Sequence, residues 1–329
     1  MILAGDIGGT KTALGIYSPE KGIGTPLARE TFASAKYACL EDIVAEFRLK
    51  FDFEIEKAAF GVAGPVAGGK AVITNLPWTI DEDQLKNALD TSSVKLLNDL
   101  EAISWSVSSL EENDIYALND NGEPEKGGTI AVIAPGTGLG EAFLVWDGSR
   151  YLAHASEGGH ADLAPTNELE IELLRYLLKK YERVSYERVC SGIGIPNIYN
   201  FFKDSGRIEE PAWLMKELVN VQDPTPLIVN TALEKESSCP ICKATLDMFI
   251  SFLGAEAGNM ALKILPTGGV YLGGGIPPRI LPQLQKGLLM KTFLQKGRMS
   301  KLLSKMPVNV ILKSDMALTG TAYYGLEIL

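Results

Sequence analysis

Ile2-Leu3-Ala4-Gly5-Asp6-Ile7-Gly8-Gly9-Thr10-Lys11-Thr12-Ala13-Leu14-Gly15-Ile16-Tyr17 opens the chain, and its reading decides the fold. Ile2–Ile7 reads as a buried strand and Thr12–Tyr17 as a second, with a glycine turn between them. A strand on each side excludes a Walker A loop and a Rossmann fingerprint, which lead from a strand into a helix. Tight glycine turns let successive backbone N–H groups converge on one anion, because no Cβ blocks the approach. Thr10 and Thr12 offer hydroxyls, Lys11 a point charge, and Asp6 a carboxylate able to hold hydrated Mg²⁺. Taken alone, the turn also reads as a plain hairpin.

The pattern returns further along. Ala134-Pro135-Gly136-Thr137-Gly138-Leu139-Gly140 follows the β-like run Thr129–Ala134 and leads into another that reaches Trp146. A third cluster, Gly273-Gly274-Gly275, follows the strand Val270–Leu272. The weak repeat suggests two similar halves, each offering a glycine turn. Between them strands alternate with helices. Cys39–Phe51 has helical spacing, Ala58–Val62 reads as a strand and Asp81–Leu89 as a helix. Val94–Leu97 reads as a strand that ends at Asn98-Asp99 and is followed by a helix. Asn167 caps a helix, with Glu170 completing the capping box and Ile171, Leu174, Leu177 and Leu178 as its apolar stripe. Ala244–Leu265, Pro278–Lys286 and Ala317–Leu326 read as helices, and Asp120–Gly128 as a linker-like stretch.

The 329 residues suffice for about two domains. Hydrophobic residues at 46% and charged residues at 22% exclude wholesale disorder. A formal charge of 31 − 41 = −10 makes non-specific nucleic-acid binding a poor candidate. No secretory leader pattern and no run of about 18 apolar residues is found, so a cytoplasmic protein without a membrane span is expected. Four cysteines fit a reducing compartment. Cys239-Pro-Ile-Cys242 lacks the second pair that a zinc site needs, and reads as two unpaired thiols at a helix start.

GDIGGTKTALG (5–15), APGTGLGEA (134–142) and GGVYLGGGIPPRI (268–280) resemble the phosphate and adenosine segments of sugar kinases in the actin-like ATPase superfamily. LNDLEA (97–102), EGGHADLAP (157–165) and YERVCSG (186–192) narrow the resemblance to the bacterial glucokinase family. The related ROK kinases carry a cysteine-rich zinc motif after their EGGH-like histidine. Here Ala-Asp-Leu-Ala-Pro follows His160, so no zinc is expected there.

The resemblance implies a two-lobed ribonuclease-H-like α/β fold with a central cleft. It implies a small domain over 1–110, a large one over 111–313, and a C-terminal helix of about 314–329 packed back on the small one. Gly8, Gly9, Thr10, Lys11 and Thr12 would cradle the phosphates of ATP from one side, and Gly136, Thr137 and Gly138 from the other. Gly273, Gly274 and Gly275 would lie against the adenosine, and Asp6 would hold Mg²⁺ through water. Asp99 would be the general base. Asn98, Glu157, His160 and Glu187 would hold glucose, with Asn75 a weaker candidate. The reaction implied is ATP-dependent phosphorylation of D-glucose at O6, the first step of glycolysis, in a homodimer whose lobes close on the sugar.

The chemistry needs these residue types. A primary alcohol is a weak nucleophile, so a carboxylate must accept its proton during phosphoryl transfer. Carboxylates, an amide and an imidazole suit a ring of hydroxyls that both donate and accept. Other readings stay open: Asp99 as a helix cap, Glu157 as a solvated loop acid, Glu187 as a first-turn helix acid, His160 as a core histidine and Asn75 as a turn residue. Two other functions compete. One is a kinase for another hexose or with another phosphoryl donor. The other is an actin-like ATP switch protein, in which Glu157, His160 and Glu187 would have no job.

Overall fold

Strand Ile2–Ile7 is hydrogen-bonded along both edges in the computed structural model, which describes residues 1–73, 76–120, 122–234 and 239–329. Asn75, and Asn121 of the linker-like stretch, lie outside the described residues. Only Asp6 in this strand is not fully buried, which suits an apolar run at the centre of a sheet. One edge pairs antiparallel with Lys11–Tyr17, and Ala28–Ala33 adds to that side. The other edge pairs parallel with Lys57–Val62, and Ser93–Asn98 pairs parallel beyond it. The registers set Asp6 opposite Gly61, and Val62 opposite Asn98. The carboxyl ends of three parallel strands therefore share one edge with the glycine turn.

This sheet belongs to the first of two compact units, formed by Met1–Glu111, Ser149–Ala155 and Lys313–Leu329. Helix Leu40–Lys50 buries Ile43, Val44 and Phe47 in the same core as Phe60. Helices Asp99–Val107 and Met316–Glu327 pack together, and the C-terminal helix also rests on Ile2–Ile7. Small residues permit that approach. A Cβ on Gly61 would stand 2.9 Å from the Ala102 Cβ, and one on Gly320 would collide with the Ala102 carbonyl. Ser149–Ala155, inside the range expected for the large domain, clusters with the first unit, where Leu152 and Ala153 pack against the cluster of Leu97, Ala102 and Trp105.

The second unit, Glu112–Gly148 and Ser156–Leu312, repeats the pattern. Strand Ile130–Pro135 pairs antiparallel with Leu139–Trp146 across a glycine turn, and parallel with Gly269–Leu272. Val308–Ile311 continues the parallel side, and Ile115–Ala117 closes it antiparallel. Antiparallel hairpin first and parallel strands after is the ribonuclease-H-like order of the actin-like ATPase fold. The core of this unit is built around the 25-residue helix Pro240–Ile264, which starts four residues before the expected Ala244. Pro240 fits there because the first turn has no N–H bond to lose. Cys239 and Cys242 are free, buried thiols at that helix start.

Local expectations differ from the structure at three places. Asn167 caps its helix by accepting the Glu170 N–H at 3.1 Å. Glu170, however, reaches back to the N–H and hydroxyl of Thr166 instead of closing the box on Asn167. The apolar stripe of that helix centres on Leu173 and Leu177, while Leu178 is 50% exposed, because its end turns away from the core. The helix expected over Pro278–Lys286 is only Leu281–Leu284, since Pro282 lacks the N–H of a helix interior and Gly287 breaks out at φ +86°. No helix among the described residues is long and apolar enough to cross a membrane.

The contact between Gly320 and Ala102 yields a direct test. Gly320→Ala forces the two helices of the first unit apart, at a cost of about 1–3 kcal/mol of unfolding free energy. Urea denaturation of the variant should show it, and an unchanged midpoint would refute the packing account.

Candidate active site

In the first unit the functional side chains stand at the carboxyl edge of the parallel strands. The turn is closed by the Gly8 N–H donating to the Lys11 carbonyl at 3.0 Å. Ser34 supports it from below, donating its hydroxyl to the Gly8 carbonyl at 2.8 Å and its N–H to the Thr10 carbonyl at 3.1 Å. Thr12 is fully buried with its Oγ1 3.0 Å from Ser34 Oγ, so its hydroxyl braces the turn. Thr10 and Lys11 are exposed, and Gly8 and Gly9 are partly exposed.

Asn98 and Asp99 lie at the junction of a strand and a helix. Asn98, not Asp99, is the cap: its Oδ1 accepts the Leu100 N–H at 2.9 Å, and its Nδ2 donates to the Gly64 carbonyl at 3.0 Å. Asp99 is the first helical residue, with Oδ1 accepting the same Leu100 N–H at 2.8 Å. Its negative charge suits the positive end of the helix dipole. Burial, and next the Asp99 charge, push the Asp6 carboxyl up to about 6, against the pull of Lys11 and Arg29. Two carboxylates facing one edge, one of them strained by its neighbour's charge, are a donor set that a hard dication relieves. Among the described residues no cluster of three or more His, Cys, Asp or Glu could cage a metal. Mg²⁺ needs no such cage, because it keeps its waters and takes substrate phosphate oxygens.

The second unit brings Glu157, His160 and Glu187 together. Gly158–His160 forms a short 3-10 turn, closed by the His160 N–H donating to the Glu157 carbonyl at 3.0 Å. His160 Nδ1 stands 3.6 Å from Glu157 Oε2, and Nε2 stands 3.8 Å from Glu187 Oε1. Neither separation is a hydrogen bond, so these atoms are not committed to each other. Glu187 Oε2 is committed: it accepts the Leu139 N–H at 3.1 Å. That bond ties the carboxylate to the glycine turn. A Cβ on Gly138 would stand 2.5 Å from Glu187 Oε2, and one on Gly159 would collide with the Leu139 carbonyl. Tyr186 is buried and anchors the segment by donating its N–H to the Ala161 carbonyl.

The Gly136 turn borders a cavity of about 640 Å³, lined also by Thr137, Gly192, Ile193, Asn230, Gly275 and Arg279. Its size suits a nucleoside-sized ligand. Gly192 and Ile193 donate their N–H groups to the Gly136 and Thr137 carbonyls at 2.7 and 3.2 Å, which fixes the turn against the cavity wall. Gly274 has φ +79° and packs against the Pro135 carbonyl, where a Cβ would stand 2.7 Å away. Gly273 donates its N–H to the Ile133 carbonyl at 2.8 Å. Arg279, within the GGVYLGGGIPPRI segment, lines the cavity, as do Ile193, Asp223, Thr225 and Asn230, which no motif marked. The sequence signal nearest to these four is the proline-flanked helix start Asp223-Pro-Thr-Pro226, which predicts a cap and no ligand.

The raised Asp6 carboxyl has a consequence for stability. Its folded value lies above the 3.8 of an ordinary aspartate, so the proton is bound more tightly in the folded state. That stability is full below about pH 4 and is lost as pH rises through about 6. Asp6→Asn removes the buried charge and should raise the unfolding free energy of the ligand-free protein at pH 7 by roughly 2–3 kcal/mol. Calorimetry at neutral and acidic pH checks this; a gain that does not shrink below pH 4 would contradict the account.

Known proteins match the chain over nearly its whole length. The family model described as Glucokinase matches residues 3–327. Glucokinase from Nostoc punctiforme is 41% identical over 337 residues, covering 98% of this chain and 98% of that protein. The crystal structure of glucokinase from an Antarctic psychrotroph superposes with a TM-score of 0.84 at 30% identity, covering 98% of each chain. Glucokinase from Balamuthia mandrillaris, solved in complex with glucose, has a TM-score of 0.81 at 21% identity, covering 98% of this chain and 93% of that one, and shares the fold.

Proposed function

The chain belongs to the glucokinase family, and on that premise we propose that it transfers the γ-phosphoryl group of ATP to O6 of D-glucose, giving glucose 6-phosphate and ADP. The observation that carries the substrate is the grouping of Glu157, His160 and Glu187 beside the Gly136–Gly138 turn, through the bond from the Leu139 N–H to Glu187. An ATP switch protein has no use for two carboxylates and an imidazole presented next to a phosphate turn.

The roles follow from the chemistry of each group. Glu157 and Glu187 accept hydrogen bonds from sugar hydroxyls, and His160 donates or accepts between them. Asn98 keeps hydrogen-bonding capacity beyond its cap and its bond to Gly64, and serves the sugar with that remainder. Asp99 accepts the O6 proton as the oxygen bonds to the γ-phosphorus. The backbone of Gly8–Thr12 and of Gly136–Gly138 supplies N–H groups to the phosphates, with Lys11 adding a cation. Gly273–Gly275 and the cavity beside them take the adenosine. Mg²⁺ at Asp6, held largely through water, would neutralise phosphate charge. This arrangement lets a protein of net charge −10 bind an anionic nucleotide through backbone dipoles and few fixed cations. The four free cysteines support a reducing, cytoplasmic setting. The family likeness supports a homodimer, which sedimentation tests.

Asp99→Asn keeps the shape of the site and removes the base. Turnover should fall by about 10²-fold or more with the melting temperature little changed; near-normal turnover would remove Asp99 from the role. A panel of sugars against phosphoryl donors in a coupled ADP assay tests the substrate. The highest kcat/KM should belong to glucose with ATP, and a higher value for another hexose would reassign it.

A further inference from the structure

Beneath the turn that carries His160, the dry interior of the second unit encloses two carboxyls. Glu141 projects from strand Leu139–Trp146 and is 3% exposed; Glu256 projects from helix Pro240–Ile264 and is fully buried. In each, the Oε1 atom is buried and has no hydrogen-bond partner. The surroundings compensate little. Glu256 Oε2 accepts from Asn259 Nδ2 at 2.9 Å, and the same nitrogen donates to the Tyr186 hydroxyl at 2.9 Å. Lys263 Nζ stops 3.8 Å from Glu256 Oε1. Lys296 Nζ is committed to the Ala255 carbonyl and to Asn259 Oδ1. Tyr186, Cys190 and Glu170 complete the titratable groups that face the pair and its neighbours.

A negative charge on either buried carboxyl raises the cost of ionising the other, and a proton on one removes that cost. Burial first, and then the Glu256 charge, push the Glu141 carboxyl up to about 8, with Lys263 pulling the other way. Burial also raises Glu256. Glu141 touches the sugar loop directly, because its Oε2 lies against Gly158, where a Cβ would collide with it. Gly158 opens the turn that ends at His160.

We propose that Glu141 stays protonated at neutral pH in this dry interior, and that its proton keeps the Gly158–His160 turn seated, so that Glu141 is a positioning residue for Glu157 and His160. The inference rests on the sugar-binding role of those two residues. When the proton leaves, a negative charge appears in that interior. The glycine turn lying on Glu141 is then displaced, or water enters beneath it. Glu157 and His160 move with the turn, so glucose binding weakens. Asp99 is carried by a different unit, so kcat at saturating glucose holds.

The experiment follows kcat and KM for glucose from about pH 6 to 10 in the full chain and in Glu141→Gln, whose amide resembles the protonated acid. Difference infrared spectroscopy on the sugar-free proteins reads the carboxylic C=O stretch. The parent chain should lose kcat/KM about tenfold per pH unit above a break near pH 8, through KM, as for release of one proton. Glu141→Gln should keep the neutral-pH value, lack the alkaline fall and lose the infrared band. If Glu141→Gln does not fold, Glu256→Gln carries the test: with the Glu256 charge gone, the break moves to lower pH. An alkaline fall that persists in Glu141→Gln, a break unmoved in Glu256→Gln, or a parent chain without a protonated carboxyl at neutral pH overturns the proposal. The infrared reading needs no sugar, so it separates failure of the protonated carboxyl from failure of the sugar-kinase reading.

Discussion

Hydrogen bonding along both edges of the first strand in each unit is the constraint from which the rest follows. Ile2–Ile7 and Ile130–Pro135 each use one edge for an antiparallel hairpin and the other for a parallel neighbour. The hairpin must turn back where the strand ends, and the parallel neighbours end on that same edge. Chain reversals with exposed N–H groups, strand ends with carboxylates and helix N-termini therefore collect together. The proposed phosphate binding would use that edge, because its donors are backbone groups whose positions are set by sheet pairing.

The second unit shows how a site is built out from such an edge. The Glu187 carboxylate is bonded to the N–H of Leu139, the residue at which the turn becomes a strand. One of its oxygens is held by the glycine turn and the other faces His160. Glycine makes this possible, since Gly138 and Gly159 leave room that any side chain would fill. Several of the chain's 33 glycines are explained by such close approaches of backbone to backbone and carboxylate to backbone. The same closeness has an electrostatic cost, because Asp6 and Glu141 both sit where burial and a neighbouring carboxylate oppose ionisation.

Much of the fold was legible from local pattern. Ile2–Ile7 matches its strand end to end, and the helix from Asn167 begins at the residue whose side chain caps it. These features depend on periodicity and capping, which are local. What was missed depended on contacts at a distance. Leu178 fits the helical stripe by spacing but lies beyond the neighbour that would bury it. Glu170 sits at the box position but bonds to Thr166, because the chain entering the helix brings those groups closer. At the site, the family motifs marked Glu157, His160 and Glu187, and the structure sets His160 3.6 Å from the first carboxylate and 3.8 Å from the second.

The amino-acid sequence by itself determined the two glycine hairpins, the strand–helix alternation and the types of side chain offered to phosphate and sugar. It did so because turn chemistry, apolar periodicity and capping act over a few residues. Tertiary structure alone decided which polar groups are spent within the protein and which remain for a ligand. Thr12 lost its hydroxyl to Ser34, Asn98 took the cap that spacing allowed to Asp99, and Ile193 and Asn230 joined a cavity wall with no motif to mark them. Glu141, an acid after a glycine turn, was left with a buried carboxyl oxygen without a partner only when the second unit closed over it. Burial and partner charge belong to neighbours far along the chain, and no local pattern encodes them.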